Sequence, residues 1–166
     1  MTISMYGASV PVFTRMLTNL LAILDKAEAY AAERKIDLAF FVDDRLAPDM
    51  LPFKKQIQIA SDHAKGAATR LAGKPVPSWA DDEVTFEDLK ARVRKTLDLL
   101  ASVTPAEIDG SEARDIPLKS GGKDIVQPGQ SYLLERAMPN FYFHVTMAYA
   151  ILRHNGVPIG KGDYLG

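Results

Sequence analysis

The 166-residue chain contains no cysteine, and this absence removes several kinds of chemistry at once. Disulfides, thiolate zinc sites, iron–sulfur clusters and cysteine nucleophiles are all excluded. Histidine, carboxylate, hydroxyl and amide groups remain as candidate ligands or catalysts, and the chain has three histidines. A lack of cysteine also favours a cytoplasmic protein, because disulfides are typical of oxidising compartments.

Excess charge and long apolar runs are missing as well. Twenty Lys and Arg residues against 21 Asp and Glu give a formal net charge of −1, so no overall basic field attracts nucleic acid or an anionic membrane. No apolar run reaches the roughly 18 residues of a membrane span, and the N-terminus lacks the pattern of a secretory signal. We therefore expect neither nucleic acid nor membrane as a partner. The size predicts one globular domain over residues 1–166.

Four segments have the apolar spacing of helices that bury one side. The sequence predicts helices from Val10 to about Lys35, from Asp49 to Leu71, from Thr85 to Leu100 and from Pro139 to about His154. Thr85 precedes Asp88 by three residues, as in a capping box, and the same signal at Thr104-Pro105-Ala106-Glu107 predicts a short extra turn. The resulting fold class is all-α, a four-helix bundle.

Two connections distinguish this bundle from a simple up-and-down arrangement. Residues 72–84 contain Gly73, Pro75 and Pro77, and about 13 extended residues can span roughly 43 Å, against roughly 30 Å for a helix of about 20 residues. This segment predicts a long crossover that leaves the second and third helices parallel. Between Arg114 and Val126, alternating apolar residues around a Gly-Gly pair predict a small β-hairpin before the fourth helix.

Together with a histidine in the fourth helix and the ending Leu152-Arg153-His154-Asn155-Gly156-Val157, this organisation resembles the DinB-like (DinB/YfiT) superfamily over nearly the whole chain. Residues 45–51, 56–62, 139–144 and 160–166 resemble more narrowly a bacterial branch of unassigned function. The resemblance implies a bundle that is often a homodimer. It also implies a divalent metal held by one histidine of the second helix and two of the fourth, and some members are thiol-dependent transferases.

The family's histidine positions are only partly filled in this chain. Aligning the ending of the fourth helix places His144 at its second histidine and Asn140 at its first, while His63 lies at about the right place on the second helix. The resemblance thus implies His63 and His144 as ligands of zinc, nickel or manganese. An amide such as that of Asn140 is a poor ligand for zinc or nickel.

Helical geometry leaves a second interpretation open for these residues. His144 shares an inward stripe with Asn140, and a lone inward histidine is more often a hydrogen-bonded core residue than a ligand. Asn140 itself is a candidate hydrogen-bond partner. His63 shares an edge of its helix with Gln56 and Arg70. Asn140, Gln56 and Tyr149 are therefore expected around a pocket.

Three functions remain open at this point. The leading hypothesis is a DinB-like protein with a degenerate histidine site that weakly binds a divalent metal or a small ligand. The enzyme alternative is a metal-dependent transferase or hydrolase that uses His63 and His144, and it rests on family analogy alone. The third is a non-catalytic homodimeric interaction protein.

Asp62 points away from the predicted core and is expected to be a solvated carboxylate, and His154 is expected to complement a helix dipole.

Overall fold

The computed structural model describes residues 3–166. The helices are α1 (Val10–Arg34), α2 (Leu38–Asp43), α3 (Phe53–Leu71), α4 (Phe86–Ala101), α5 (Pro105–Ile108), α6 (Gly129–Ser131), α7 (Met138–His154) and α8 (Lys161–Leu165), and the strands are β1 (Asp115–Ser120) and β2 (Lys123–Pro128). One π-helical turn, Tyr132–Ala137, joins α6 to α7 and is called the π turn below.

Helices α1, α3, α4 and α7 form a four-helix bundle with the predicted parallel pair. The rings of Phe53 and Phe86, which begin α3 and α4, stack with centroids 5.8 Å apart, so both helices start at the same end. Helices α1 and α7 are parallel to each other, since Phe13 near the start of α1 meets Phe141 at 4.8 Å. Lys90 of α4 pairs with Glu28 near the end of α1, which makes these two helices antiparallel.

The crossover segment, residues 72–85, is held by Arg92 of α4. The Arg92 side chain is only 2% exposed and pairs with Asp62 of α3 at 2.9 Å, with Asp81 at 3.2 Å and with Glu83 at 2.9 Å. Its guanidinium also donates to the Ala80 carbonyl and lies over the Trp79 ring. Asp62 also pairs with Lys65, so this carboxylate, which is 43% exposed, has two cationic partners that the sequence did not predict. Helix α4 and the crossover segment pack on the side of α3 that the sequence assigned to solvent.

Several predicted element boundaries are confirmed. Thr85 and Asp88 form the capping box of α4, with Thr85 Oγ1 accepting from the Asp88 backbone and the Asp88 carboxylate accepting from the Thr85 backbone. The hairpin turns on Gly121 and Gly122, whose φ values of 55° and 79° suit a two-residue turn that matches the twist of the strands. Gly156, with φ of 87°, follows the end of α7 as predicted.

Two predicted starts differ from the structure. Helix α3 begins at Phe53 rather than at Asp49, because Pro52 holds an extended conformation immediately before it. The fourth helix does not begin at Pro139. Helical structure starts at Gly129 and runs through the π turn, so Pro139 lies inside a continuous helical stretch. A proline inside a helix removes one backbone hydrogen bond and clashes with a preceding carbonyl, and a π turn is one way to accommodate both effects.

The core fills the space between the four long helices. Its largest fully buried side chains include Phe13, Phe41, Phe53 and Phe141. Helix α3 is buried over most of its circumference, polar residues included. Within residues 3–166, none of the helices is both long and apolar enough to cross a membrane.

Candidate functional site

The two histidines implied as ligands lie next to each other. His63 on α3 and His144 on α7 have ring centroids 6.0 Å apart and an angle of 13° between their planes. Both side chains are half-buried. The antiparallel packing of α3 against α7 therefore brings together two residues that are 81 positions apart in the sequence.

Gln56 of α3 orients the His144 ring. The Gln56 amide nitrogen donates to the Leu51 carbonyl at 2.8 Å, so its oxygen faces His144 Nδ1 at 2.7 Å. An amide oxygen only accepts, so His144 Nδ1 carries the proton and the neutral ring keeps its lone pair on Nε2. Asn140, the other candidate partner of His144, donates instead to the Arg136 carbonyl at 2.7 Å.

Both imidazoles are neutral near pH 7. Burial lowers the pKa of His63 to about 4, and the adjacent His144 together with Arg70 and Arg136 add to this shift, while Asp62 opposes it. Burial also lowers the pKa of His144. The pair therefore offers lone pairs and N–H donors rather than positive charge.

His63 opens into a cleft between α3, the π turn and the hairpin. This hairpin cleft has a volume of about 650 Å³ and is lined by His63, Arg70, Tyr132 and Arg136 on the helical side and by residues 117–119 and 124–126 on the hairpin side. A space of this size is typical of sites for small organic ligands. His144, Gln56 and Asn140 do not line this cleft.

Gly66 makes room for the Arg70 side chain. A Cβ atom at Gly66 would collide with Arg70 Nη1, and glycine removes that obstacle. The guanidinium then folds back along α3, where Nη1 donates to the Tyr132 hydroxyl at 3.1 Å. Glycine within a helix costs roughly 1 kcal/mol relative to alanine. At position 66, the glycine allows the Arg70 guanidinium to lie on the cleft surface.

The π turn brings Arg136 to the same cleft. Pro139 lacks a backbone N–H, which disturbs the hydrogen bonds of the preceding turn, and the Asn140 side chain satisfies the Arg136 carbonyl. Arg136 Nη2 donates to the Lys119 carbonyl of β1 at 3.3 Å, so the side chain reaches across to the hairpin. Asn140 thus makes a structural contact at the position that the resemblance aligned with a histidine.

The other predicted residues lie elsewhere. Tyr149 packs its ring against Tyr164 of α8 at 5.9 Å and does not line the hairpin cleft. His154 is exposed in the last turn of α7, where a basic residue suits the helix dipole. The sequence interpretation missed Arg136 and assigned no role to Arg70. The glycine at position 66, within an otherwise regular helical pattern, was the signal of a close approach.

The residues around His63 and His144 fit a metal ion only incompletely. Two imidazoles supply two nitrogen ligands, and residues 3–166 contain no cluster of three or more His, Asp or Glu side chains that could hold a metal. Arg70 and Arg136 create a positive potential at His63, which opposes a divalent cation. Within residues 3–166, these side chains therefore fall short of the three histidine ligands that the family resemblance implied.

The fold agrees with that of a solved relative. A crystal structure of a DinB family member protein from Shewanella denitrificans has a TM-score of 0.88 to this chain and 41% sequence identity, and the match covers 97% of this chain and 91% of that one. None of the curated proteins matches. The molecule is thus a DinB-like helical bundle in class.

The sequence match identifies the family within that class. Residues 5–165 match the family described as "Domain of unknown function (DUF1993)". The chain belongs to this family, and the resemblance to DinB-like proteins inferred from its sequence motifs is confirmed.

Proposed function

We propose that this DinB-like protein binds a small organic molecule in the hairpin cleft, with His63 forming part of the binding surface. The observation that carries the proposal is the composition of the cleft. The cleft has a volume of about 650 Å³. It is lined by a neutral imidazole, a tyrosine hydroxyl and guanidinium groups on the helical side and by apolar residues on the hairpin side. A mainly apolar surface with a few converging polar groups is the usual composition of a ligand site.

Ligand-observed NMR with a mixed library of neutral and charged fragments tests this proposal. We expect fragments to bind the wild-type protein and to lose binding in Ile125→Trp, since the larger side chain fills the cleft from the hairpin side. Val84→Trp is the matched control, because Val84 is 71% exposed and lies outside the cleft. Fragments that bind Ile125→Trp as well as the wild type, or a wild type that binds none, would contradict the proposal.

Weak binding of a divalent metal is a second candidate, favoured by the two adjacent neutral imidazoles. His63 and His144 would hold the ion, and a bound zinc would supply Lewis acidity towards a substrate or a water molecule. This is the chemistry that the transferase or hydrolase alternative requires.

Calorimetric titration of untagged protein with zinc, nickel and manganese tests the metal candidate. We expect weak zinc binding that disappears in His144→Ala and persists in His154→Ala, because His154 lies at the exposed end of α7. Zinc binding that survives loss of both His63 and His144 would remove their role as ligands. The homodimer and the cytoplasmic location expected from the sequence stay predictions.

A further inference from the structure

We propose that the hairpin cleft selects organic carboxylates that carry an apolar group. Arg70 and Arg136 would bind the carboxylate, and the hairpin would contact the apolar part. This inference rests on the proposed function, because it names the class of small molecule that the cleft takes.

The charges in the cleft differ from those of the whole chain. The chain has a formal net charge of −1, yet the cleft is lined by the cations Arg70, Lys119 and Arg136 against one carboxylate, Asp124. In the part of the chain that the structure describes, none of these three cations forms an ion pair with a carboxylate. Arg92, by contrast, has three carboxylate partners. The cationic groups of the cleft therefore keep their charge available for an anion.

Part of the pKa shift of His63 comes from the positive charges in the cleft. Burial is the largest cause of the fall of this pKa to about 4, and His144 adds to it; Arg70 and Arg136 make smaller contributions because their positive potential disfavours the protonated form. The same potential favours an anion at that position. A bound anion would in turn make protonation of His63 easier, so its pKa should rise on binding.

Arg70 is held in a defined orientation that suits a carboxylate. One of its nitrogens donates to the Tyr132 hydroxyl, and its guanidinium carbon lies 5.8 Å from the centre of the Tyr132 ring. The other N–H groups of the planar fork remain for a ligand, and a guanidinium binds a carboxylate through two parallel hydrogen bonds. Because Gly66 permits this orientation, alanine at position 66 should disturb carboxylate binding without touching the ligand.

The hairpin supplies the apolar half of the cleft. Leu118 and Ile125 are paired across β1 and β2, and both line the cleft beside Pro117 and Val126. A small inorganic anion would leave this surface in contact with water, and a hydrocarbon would leave the guanidinium groups without a partner. A molecule with both parts covers both surfaces, and the volume of about 650 Å³ admits a ligand of moderate size.

Calorimetry with a matched ligand series tests the inference. The probes are 4-phenylbutyrate, its neutral amide and inorganic phosphate. We expect the carboxylate to bind the wild-type protein at least tenfold more tightly than the amide, and phosphate not to displace it at equal concentration. Arg70→Gln and Gly66→Ala should each reduce the preference for the carboxylate over the amide to below threefold. Arg153→Gln is the control, because it removes one arginine from an exposed position at the end of α7.

The outcomes separate the inference from the proposed function. Equal wild-type affinity for acid and amide would overturn the carboxylate inference and leave the ligand-binding proposal standing. A preference that survives in both Arg70→Gln and Gly66→Ala would also overturn it, and so would displacement by phosphate alone. A cleft that binds neither these probes nor any library fragment would overturn the proposed function itself. Thermal unfolding of each variant confirms that the fold is intact, and Arg70→Gln carries the test if Gly66→Ala does not fold.

Discussion

Replacing Arg92 with methionine tests whether one buried guanidinium holds the crossover segment against the bundle. Methionine keeps an unbranched, apolar side chain of similar reach but removes the charge and all the hydrogen bonds. Asp62, Asp81 and Glu83 would lose their common partner, and the Ala80 carbonyl would lose a donor.

The expected loss follows from the exposure of each carboxylate. The side chains of Asp62 and Asp81 are 43% and 40% exposed, so their pairs with Arg92 should contribute at most about 1 kcal/mol each. Glu83 is only 10% exposed, and breaking a fully buried pair costs roughly 3–5 kcal/mol. Allowing for water that can reach the freed carboxylates, we expect the free energy of unfolding to fall by about 3 kcal/mol. For a chain of this size that corresponds to roughly 6–12 °C in Tm.

Urea unfolding at pH 7, followed by circular dichroism, measures this change. Arg94→Met is the matched control, because Arg94 lies two residues away, its side chain is 49% exposed, and Glu87 is its one carboxylate partner within residues 3–166. Its loss should stay below about 1 kcal/mol. A loss below about 1 kcal/mol in Arg92→Met, or equal losses in the two variants, would refute the argument that burial makes this arginine important.

Three further predictions concern the histidine pair and the assembly. The folded-state pKa of His63 lies near 4, below the unfolded value of about 6.5. Its contribution to the free energy of unfolding is therefore complete above about pH 6.5 and is lost as the pH falls towards 4. Over this pH window, the stability of His63→Gln should fall less steeply than that of the wild type. Gln56→Leu leaves His144 Nδ1 without its partner and should cost about 1–3 kcal/mol in urea unfolding, whereas Gln56→Glu should raise the pKa of His144 in an NMR titration. Light scattering at micromolar concentration should give a dimer mass, and a monomer mass would refute the dimer prediction.

Much of the bundle could be predicted because its signals are local. The apolar spacing gave the four long helices, Thr85 with Asp88 gave the start of α4, and Gly121 with Gly122 gave the hairpin turn. The parallel arrangement of α3 and α4 followed from the length of the crossover segment. Each of these inferences depends on residues that are close in the sequence or on the distance that an extended segment can span.

The π turn and the partners of Asp62 could not be predicted in this way. A proline in the first turn of a helix and a proline after a π turn give the same local pattern, so the sequence at Pro139 predicts a helix start that the structure does not have. Asp62 lies opposite the apolar stripe of its own helix, and only the packing of α4 and the crossover segment on that side explains its contacts. Such contacts depend on tertiary structure rather than on helical period.

The candidate site was predicted in part for a similar reason. Family resemblance indicated His63 and His144 as neighbours, and their ring separation of 6.0 Å agrees with that expectation. Arg70 and Arg136 have the spacing of ordinary surface charges. Their convergence depends on Gly66, on the π turn and on the hairpin, none of which marks a binding site by itself.

The hairpin leaves the helical frame and returns to it at adjacent points. Asp115 pairs with Pro128 at its base, and the Gln130 amide donates to the Glu112 carbonyl at 2.9 Å, so both ends are fastened side by side. A longer or shorter hairpin can therefore replace this one between residues 115 and 128 while α3 and the π turn stay in place. The imidazoles lie on helices and the apolar lining residues lie on the hairpin, so an exchange of hairpins between homologues would alter the apolar surface of the cleft and leave the imidazoles in place.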